Sequence, residues 1–309
     1  MTSEAAQAEA QVDADWDACS FLTCSVLPVR MACNLHCPFC FSKSSVSALD
    51  ADRVDWRTMD VDGYYAFAKA RGATRLVITG GGEPLLRPDD TVWLVGRGAR
   101  YFDEIACFTN GTLLTAELAA RLRDAGLSYL CWSRHHHDDA KNRALMGDGA
   151  PALADFMERA GDLTIRATCV MTQGWVETRD DVFDYIDALR PFGVRQFTFK
   201  HTYTAYERSV FRGSGEDLWA GEHQVEFDPF SHGDPLSYED KGDGEVVHEL
   251  PWGPKIRRID DLQVCYYHEP RPTWEKRHKT ARSCNLLSDG RVYASLEDRQ
   301  SLLYRVESS

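Results

Sequence analysis

Three cysteines stand in one short run, Cys33-Asn-Leu-His-Cys37-Pro-Phe-Cys40. The spacing C-x3-C-x2-C puts three thiolates on a tight loop. Cysteine thiolates hold iron–sulfur clusters, and a saturated 4Fe-4S cube takes four of them. Three ligands leave one iron with an open position, where a small molecule can bind and receive an electron. A single zinc ion is the alternative, and it would want a fourth Cys or His nearby. His36 lies inside the run, between ligands, where ring closure is awkward.

A second signal comes later in the chain. Leu76 to Thr79 is an apolar run of strand length, and Gly80-Gly81-Gly82-Glu83-Pro84 comes directly after it. Glycines permit close backbone approach, Pro84 fixes the exit of the turn, and Glu83 offers an acceptor at the strand end. A third strand, Glu104 to Phe108, ends in Thr109-Asn110-Gly111. By itself that ending also reads as an ordinary Asn-Gly turn.

The cysteine loop, with the aromatic Phe39 just before its last cysteine, and the Gly-Gly-Glu-Pro run resemble the two motifs of the radical S-adenosylmethionine (SAM) superfamily. The Thr-Asn-Gly strand end occurs there too, and the likeness spans residues 22–202. The resemblance implies a 4Fe-4S cluster held by Cys33, Cys37 and Cys40, with SAM chelating the fourth iron. One electron from an external reductant such as flavodoxin or ferredoxin then splits SAM into methionine and a 5′-deoxyadenosyl radical. Gly81, Gly82 and Glu83 are expected at the SAM amino group, with Phe39 and Asn110 beside the cofactor. Ser133 stands where related enzymes set a polar side chain against SAM. Arg166 is a candidate partner for a carboxylate such as that of SAM, or for a plain salt bridge.

These residues must be carried by a scaffold, and the chain supplies one. Strands are expected at Leu22–Val29, Leu76–Thr79, Glu104–Phe108, Ser128–Ser133, Leu163–Thr172 and Gln196–Lys200. Helices are expected at Tyr64–Arg71, Thr115–Ala125, Ala152–Gly161 and Asp180–Leu189. Alternating strands and helices argue for an α/β fold with a parallel sheet, and the resemblance implies a partial (β/α)6 barrel. Chemistry in such barrels sits at the C-terminal strand ends, and every one of these motifs falls at such an end. Lys200 and His201 close the sixth strand and are candidates to face the cavity. His135-His136-His137, after the fourth strand, reads as a surface loop or a substrate contact. Adjacent histidines point in different directions, so they do not read as a metal site.

The chain has 309 residues, with 35 basic and 48 acidic side chains and a net charge of −13. That balance argues against a nucleic-acid partner and is compatible with steering a cationic small molecule. From Gly215 to Leu250 there are 11 acids against the single base Lys241. No apolar run reaches the ~18 residues of a membrane span, and the first residues carry no signal-peptide pattern. Cys107, Cys131 and Cys169 lie inside apolar strands as core residues. With ten cysteines in all, the chain reads as a cytoplasmic, reduced protein. The expected organisation is a flexible tail at 1–20, a barrel at 21–204, and an acidic insert with a C-terminal β-hairpin extension at 205–309 that covers the substrate site.

In that extension Asp261–Tyr267 and Ala281–Leu287 read as strands, and Ser288-Asp289-Gly290 as a tight turn before Arg291–Leu296. Cys265 and Cys284 lack the paired cysteines of a second cluster, although Cys19 and Cys24 remain available to one. A thiol can instead hand a hydrogen atom to a carbon radical and so invert a centre. Strand alternation puts Cys265 on a polar face with Gln263 and Tyr267, and Cys284 on a face with Leu286. Cys265 is the first choice as donor and Cys284 the second. Inert packing is the alternative for both.

Acidity, a lone thiol and small size suggest a likeness to radical SAM enzymes of aminoglycoside biosynthesis, such as a neomycin C epimerase. The expected activity is epimerisation of a small amino-sugar-like cation. A sugar or cyclitol dehydrogenase and a peptide-modifying enzyme are the alternatives. About 20 residues precede the first strand, fewer than a peptide-recognition domain needs. A plain electron carrier would have no use for Gly80 to Glu83.

Overall fold

The computed structural model describes residues 16–49, 53–206, 209, 211–231 and 244–307. Most of the expected N-terminal tail and the middle of the acidic insert lie outside these residues. Six strands form the centre of the fold: β1 (Ser20–Leu27), β2 (Leu76–Ile78), β3 (Ile105–Thr109), β4 (Tyr129–Ser133), β5 (Ile165–Val170) and β6 (Gln196–Lys200). They pair in sequence order, all parallel. Helices α1 (Val61–Ala70), α2 (Pro88–Gly98), α3 (Ala116–Asp124), α4 (Asp139–Met146), α5 (Leu153–Ala160) and α6 (Arg179–Leu189) fill the connections. This is the expected partial barrel, and its sheet does not close.

Local chemistry sets the helix boundaries. Asp60, Thr115, Asp138 and Thr178 each cap a helix with a side-chain oxygen, and Thr178 forms a reciprocal capping box with Asp181. The strands carry apolar residues on both faces because helices cover one side and the barrel interior the other. The main core, between sheet and helices, includes Val26, Ile78, Cys107, Cys169 and Phe199. Trp132 stacks on Phe156 of α5 at 3.8 Å and 11°.

The C-terminal third differs from the expected arrangement. After α7 (Gly215–Glu222) come β7 (Glu245–Glu249), β8 (Lys255–Ile259) and β9 (Leu262–Tyr267). Next are α8 (Pro272–His278), β10 (Thr280–Leu287), β11 (Arg291–Tyr293) and β12 (Leu302–Arg305). The full sheet order is β12-β11-β10-β1-β2-β3-β4-β5-β6-β9-β8-β7. β10 and β11 form the expected hairpin across Ser288-Asp289-Gly290, where Gly290 has φ +84°. β9 does not lie beside them. It adds in parallel to β6, while β10 adds in parallel to β1 at the other edge. The two strands extend the barrel wall at both ends, and α8 links them. No helix among the described residues is long and apolar enough to cross a membrane.

Candidate active site

The cysteine loop leaves the end of β1 and is held by the glycine turn after β2. Gly81 N–H donates to Val29 O at 3.1 Å, and Glu83 N–H to Ala32 O at 2.9 Å. A Cβ on Gly82 would stand 1.8 Å from Ala32 O, and one on Gly81 2.8 Å from Arg30 O. The glycines are needed because residues 30–32 of the chain's own loop press onto them.

Glu83 braces the next strand end. Its buried carboxylate accepts from Leu85 N–H at 3.0 Å, Thr109 Oγ1 at 2.7 Å and Asn110 N–H at 2.8 Å. Burial raises its pKa, and those hydrogen bonds act against the rise. Asn110 then reaches the loop: its Nδ2 donates to Asn34 Oδ1 at 2.9 Å and lies 3.7 Å from Cys33 Sγ. Two strand ends and the cysteine loop are thus tied together through one carboxylate and one amide.

These groups open on a common cavity of about 220 Å³ at the C-terminal ends of the strands. Cys33, Cys37 and Cys40 line it, as do Phe39, Gly80, Gly82, Glu83, Asn110 and Ser133. Among the described residues no three Cys, His, Asp or Glu side chains converge on one metal ion. Three thiols spread around a common space suit a multi-iron cluster, in which each holds a different iron, better than a single zinc. Burial raises the pKa of the Cys37 thiol to about 12, and the neighbouring Cys40 and Cys33 add to the rise. Burial also raises that of Cys33. An iron cluster held by these thiols would supply the positive charge that offsets both effects. Thr168 lines the cavity, and its Oγ1 is buried without a hydrogen-bond partner.

Residues 28–199 match the profile of the Radical SAM superfamily. The chain belongs to the radical SAM superfamily. Members of this family use a 4Fe-4S cluster and SAM, and the residues around this cavity fit both. The chain is 31% identical over 166 residues to a GTP 3′,8-cyclase of Lactiplantibacillus plantarum, covering 52% of this chain and 48% of that protein. It is 31% identical over 115 residues to a PqqA peptide cyclase of Streptomyces rochei, covering 37% and 30%. The chain spans about half the length of the first of these radical SAM relatives. Among solved structures, Streptococcus suis SuiB bound to S-adenosylmethionine superposes with a TM-score of 0.55 at 16% identity, over 92% of this chain and 63% of that one. That likeness is one of fold.

Several expected site residues fall elsewhere in this radical SAM fold. Gly81 does not line the cavity and packs under the loop instead. Arg166 is the second residue of β5, on the strand face that presents Thr168 and Val170 to the cavity. It sits about 13 Å along the strand from Val170. Its guanidinium donates to Gln196 Oε1 and Tyr129 OH, both at 3.1 Å, and lies over the Tyr129 ring. It is a lower-layer structural group, not a cavity group. Cys284 is fully buried in the core with α1, beside Cys24 and under Tyr64, so it is excluded as a donor into the cavity. Cys265 pairs with Thr198 on β6, in the layer of Thr168, but does not itself line the cavity.

The histidine run is not a surface loop. His135 and His136 are buried. His135 lines the cavity, meets the edge of Phe39 at 4.8 Å, and accepts Val170 N–H on Nδ1 at 3.0 Å. Burial lowers its pKa to about 3, so it stays neutral. Lys200 and His201 do reach the cavity. Lys200 Nζ donates to Glu269 Oε1 at 3.0 Å, and Glu269 Oε2 accepts from Tyr267 OH at 2.8 Å and from Arg282. Glu269 and Tyr203 also line the cavity. They come after strands without any motif of their own, and the sequence signals near them are Lys200 and His201 before Tyr203 and the polar face of Tyr267 before Glu269. Three of the described acids of the insert form ion pairs with basic side chains: Glu216 with Lys43, Asp228 with Arg257, Glu245 with Arg258.

Proposed function

We propose that the protein abstracts hydrogen from a small polar substrate bound at the barrel mouth and returns hydrogen to it, an epimerisation. Cys33, Cys37 and Cys40 would hold the cluster. Gly80, Gly82, Glu83, Asn110, Ser133 and Phe39 would border SAM. When bound, the cluster delivers one electron from a flavodoxin- or ferredoxin-class reductant and SAM yields the radical that takes the hydrogen. The observation that carries this reading is that the cysteine loop, the glycine turn and the ends of β3 to β6 open on one cavity.

The chain's own groups shape the fate of the substrate. Lys200 and Glu269, the latter held by Tyr267 from behind the wall, give the wall a hydrogen-bonded patch suited to hydroxyl and amine groups. A cationic, amino-sugar-like substrate is supported by the net charge of −13, acting as a long-range field. Glu269 is already shared by three donors, so the attraction rests on that field and not on a paired carboxylate at the wall. Hydrogen return needs a group that keeps its hydrogen. Burial holds the Cys265 thiol protonated, with a pKa of about 12, on the barrel-facing side of β9. A second reading, oxidation of the same carbon with no hydrogen returned, is favoured by the fact that Cys265 does not line the cavity.

The reduced holoenzyme incubated with SAM and a panel of amino sugars in deuterated water separates these readings. Epimerisation gives product with one solvent deuterium. Oxidation gives product two mass units lighter than substrate. Methyl transfer to any member of the panel would contradict both.

A further inference from the structure

Phe39, just before Cys40, lines the cavity and is held between two rings from different parts of the chain. One is His135, which also lines the cavity and stands edge-on at 4.8 Å. The other is Trp219 of α7, at 5.8 Å and tilted by 44°, and Trp219 does not itself line the cavity. Both separations are those of favourable aromatic pairs. The Phe39 ring therefore cannot turn without disturbing a residue of α7.

α7 is fixed in turn to three segments of the barrel mouth. At its start, Ser214 Oγ lies 2.9 Å from Ser44 Oγ, and Glu216 pairs with Lys43 at 2.8 Å, both on the turn that leaves the cysteine loop. Asp217 accepts from Ala205 N–H at 2.6 Å and Gly213 N–H at 2.7 Å, on the chain that leaves β6. At its end, His223 stacks on Trp219 at 3.9 Å and 5°, and the His223 carbonyl accepts Gln173 N–H at 3.0 Å, on the turn after β5. An eight-residue helix is too short to hold its shape alone in water, so these attachments maintain it. The Lys43–Glu216 pair is partly exposed and weak by itself. The Phe39–Trp219 contact is the one that touches a cavity residue.

We propose that Trp219 is a positioning residue for SAM, acting through Phe39, with α7 as the brace that carries it. The inference rests on the reading of the cavity in which Phe39 borders SAM. With the indole in place, the wall beside Cys40 is formed before the cofactor arrives. Without it the Phe39 ring is free to swing into the vacated space, and binding must first order that ring, which costs affinity. The effect is reciprocal: if docked α7 strengthens SAM binding, bound SAM strengthens the docking of α7 by the same factor.

SAM affinity is read from the change that SAM makes in the electron-spin signal of the reduced, cluster-loaded protein. Trp219→Ala, at wild-type iron content, should bind SAM at least fivefold more weakly. Trp219→Phe keeps a ring there and should stay within twofold. Trp93→Ala removes an indole from α2 that packs under Arg57 and Arg97. It should lower the melting temperature and leave SAM affinity within twofold. In the wild type, hydrogen exchange of the α7 amides should slow at least threefold when SAM is added, a readout that needs no variant to fold. Equal SAM affinity in Trp219→Ala and wild type would overturn the proposal, as would an equal loss in Trp93→Ala. So would α7 exchange that SAM leaves unchanged. If the wild-type cluster signal does not respond to SAM, the radical SAM reading fails and the inference falls with it.

Discussion

Glu83, at the end of the glycine turn, holds the backbone N–H of Asn110 at 2.8 Å across two strands. The same carboxylate takes the Thr109 hydroxyl, so the ends of β2 and β3 form one rigid edge under the cysteine loop. Replacing it tests that brace. Glu83→Gln puts an amide where three donors converge and leaves at least one without an acceptor. A hydrogen bond to a charged group contributes about 1.5–3 kcal/mol. The variant should therefore melt at lower temperature and bind SAM several-fold more weakly. Unchanged melting and SAM affinity in calorimetry would show that the brace is idle.

Gly81 is a packing position against Arg30 and Ser47, and its substitution should act through the loop. Gly81→Val would push the cysteine loop outward. Iron content after reconstitution and SAM binding should fall together. A variant with full iron and weakened SAM binding alone would instead return Gly81 to direct contact with the cofactor.

Arg166 gives the opposite expectation. Arg166→Met removes two hydrogen bonds and a ring contact in a layer below the cavity. Stability should fall by about 1–3 kcal/mol, while SAM affinity stays within about twofold, a margin of ~0.4 kcal/mol. A tenfold loss of SAM affinity, measured by titration, would put Arg166 back in the site.

The pH dependence of stability isolates Glu297. Burial raises its folded pKa to about 7, above an ordinary value of 4.5, and Arg282 acts against the rise. The neutral form is thus favoured in the fold, so this contribution is full below pH 4.5 and lost as pH rises through 7. Buried His135, held neutral, has the opposite sign, so only a difference between variants is informative. Relative to Glu297→Gln, the wild type should lose on the order of 3 kcal/mol between pH 4.5 and 7.5. Parallel denaturation curves across that range would contradict the assigned burial.

The cysteine loop, the glycine turn and the order of β1 to β6 were legible because their chemistry is local: ligand spacing, strand ends and caps all lie within a few residues. The positions of β9 and β10 were not, since an apolar strand does not encode which edge of a sheet it joins. Arg166 was misplaced because its residue type outweighed its place in the strand. A residue second in a parallel strand starts far from the mouth. Cys284 showed its place through Leu286, its companion on the core face. Tyr203 and Glu269 lie in loops and carry no periodic signal. Only the fold brings them to the cavity with Lys200, which the sequence did point to.

Cleavage of SAM tests the central claim most directly. Cluster-loaded protein reduced in the absence of oxygen should convert SAM to methionine and 5′-deoxyadenosine in equal amounts. The protein with Cys33, Cys37 and Cys40 all changed to Ala should lose both the visible thiolate-to-iron absorption and the products. Formation of S-adenosylhomocysteine alone, or 5′-deoxyadenosine from the triple variant at the wild-type rate, would contradict the account.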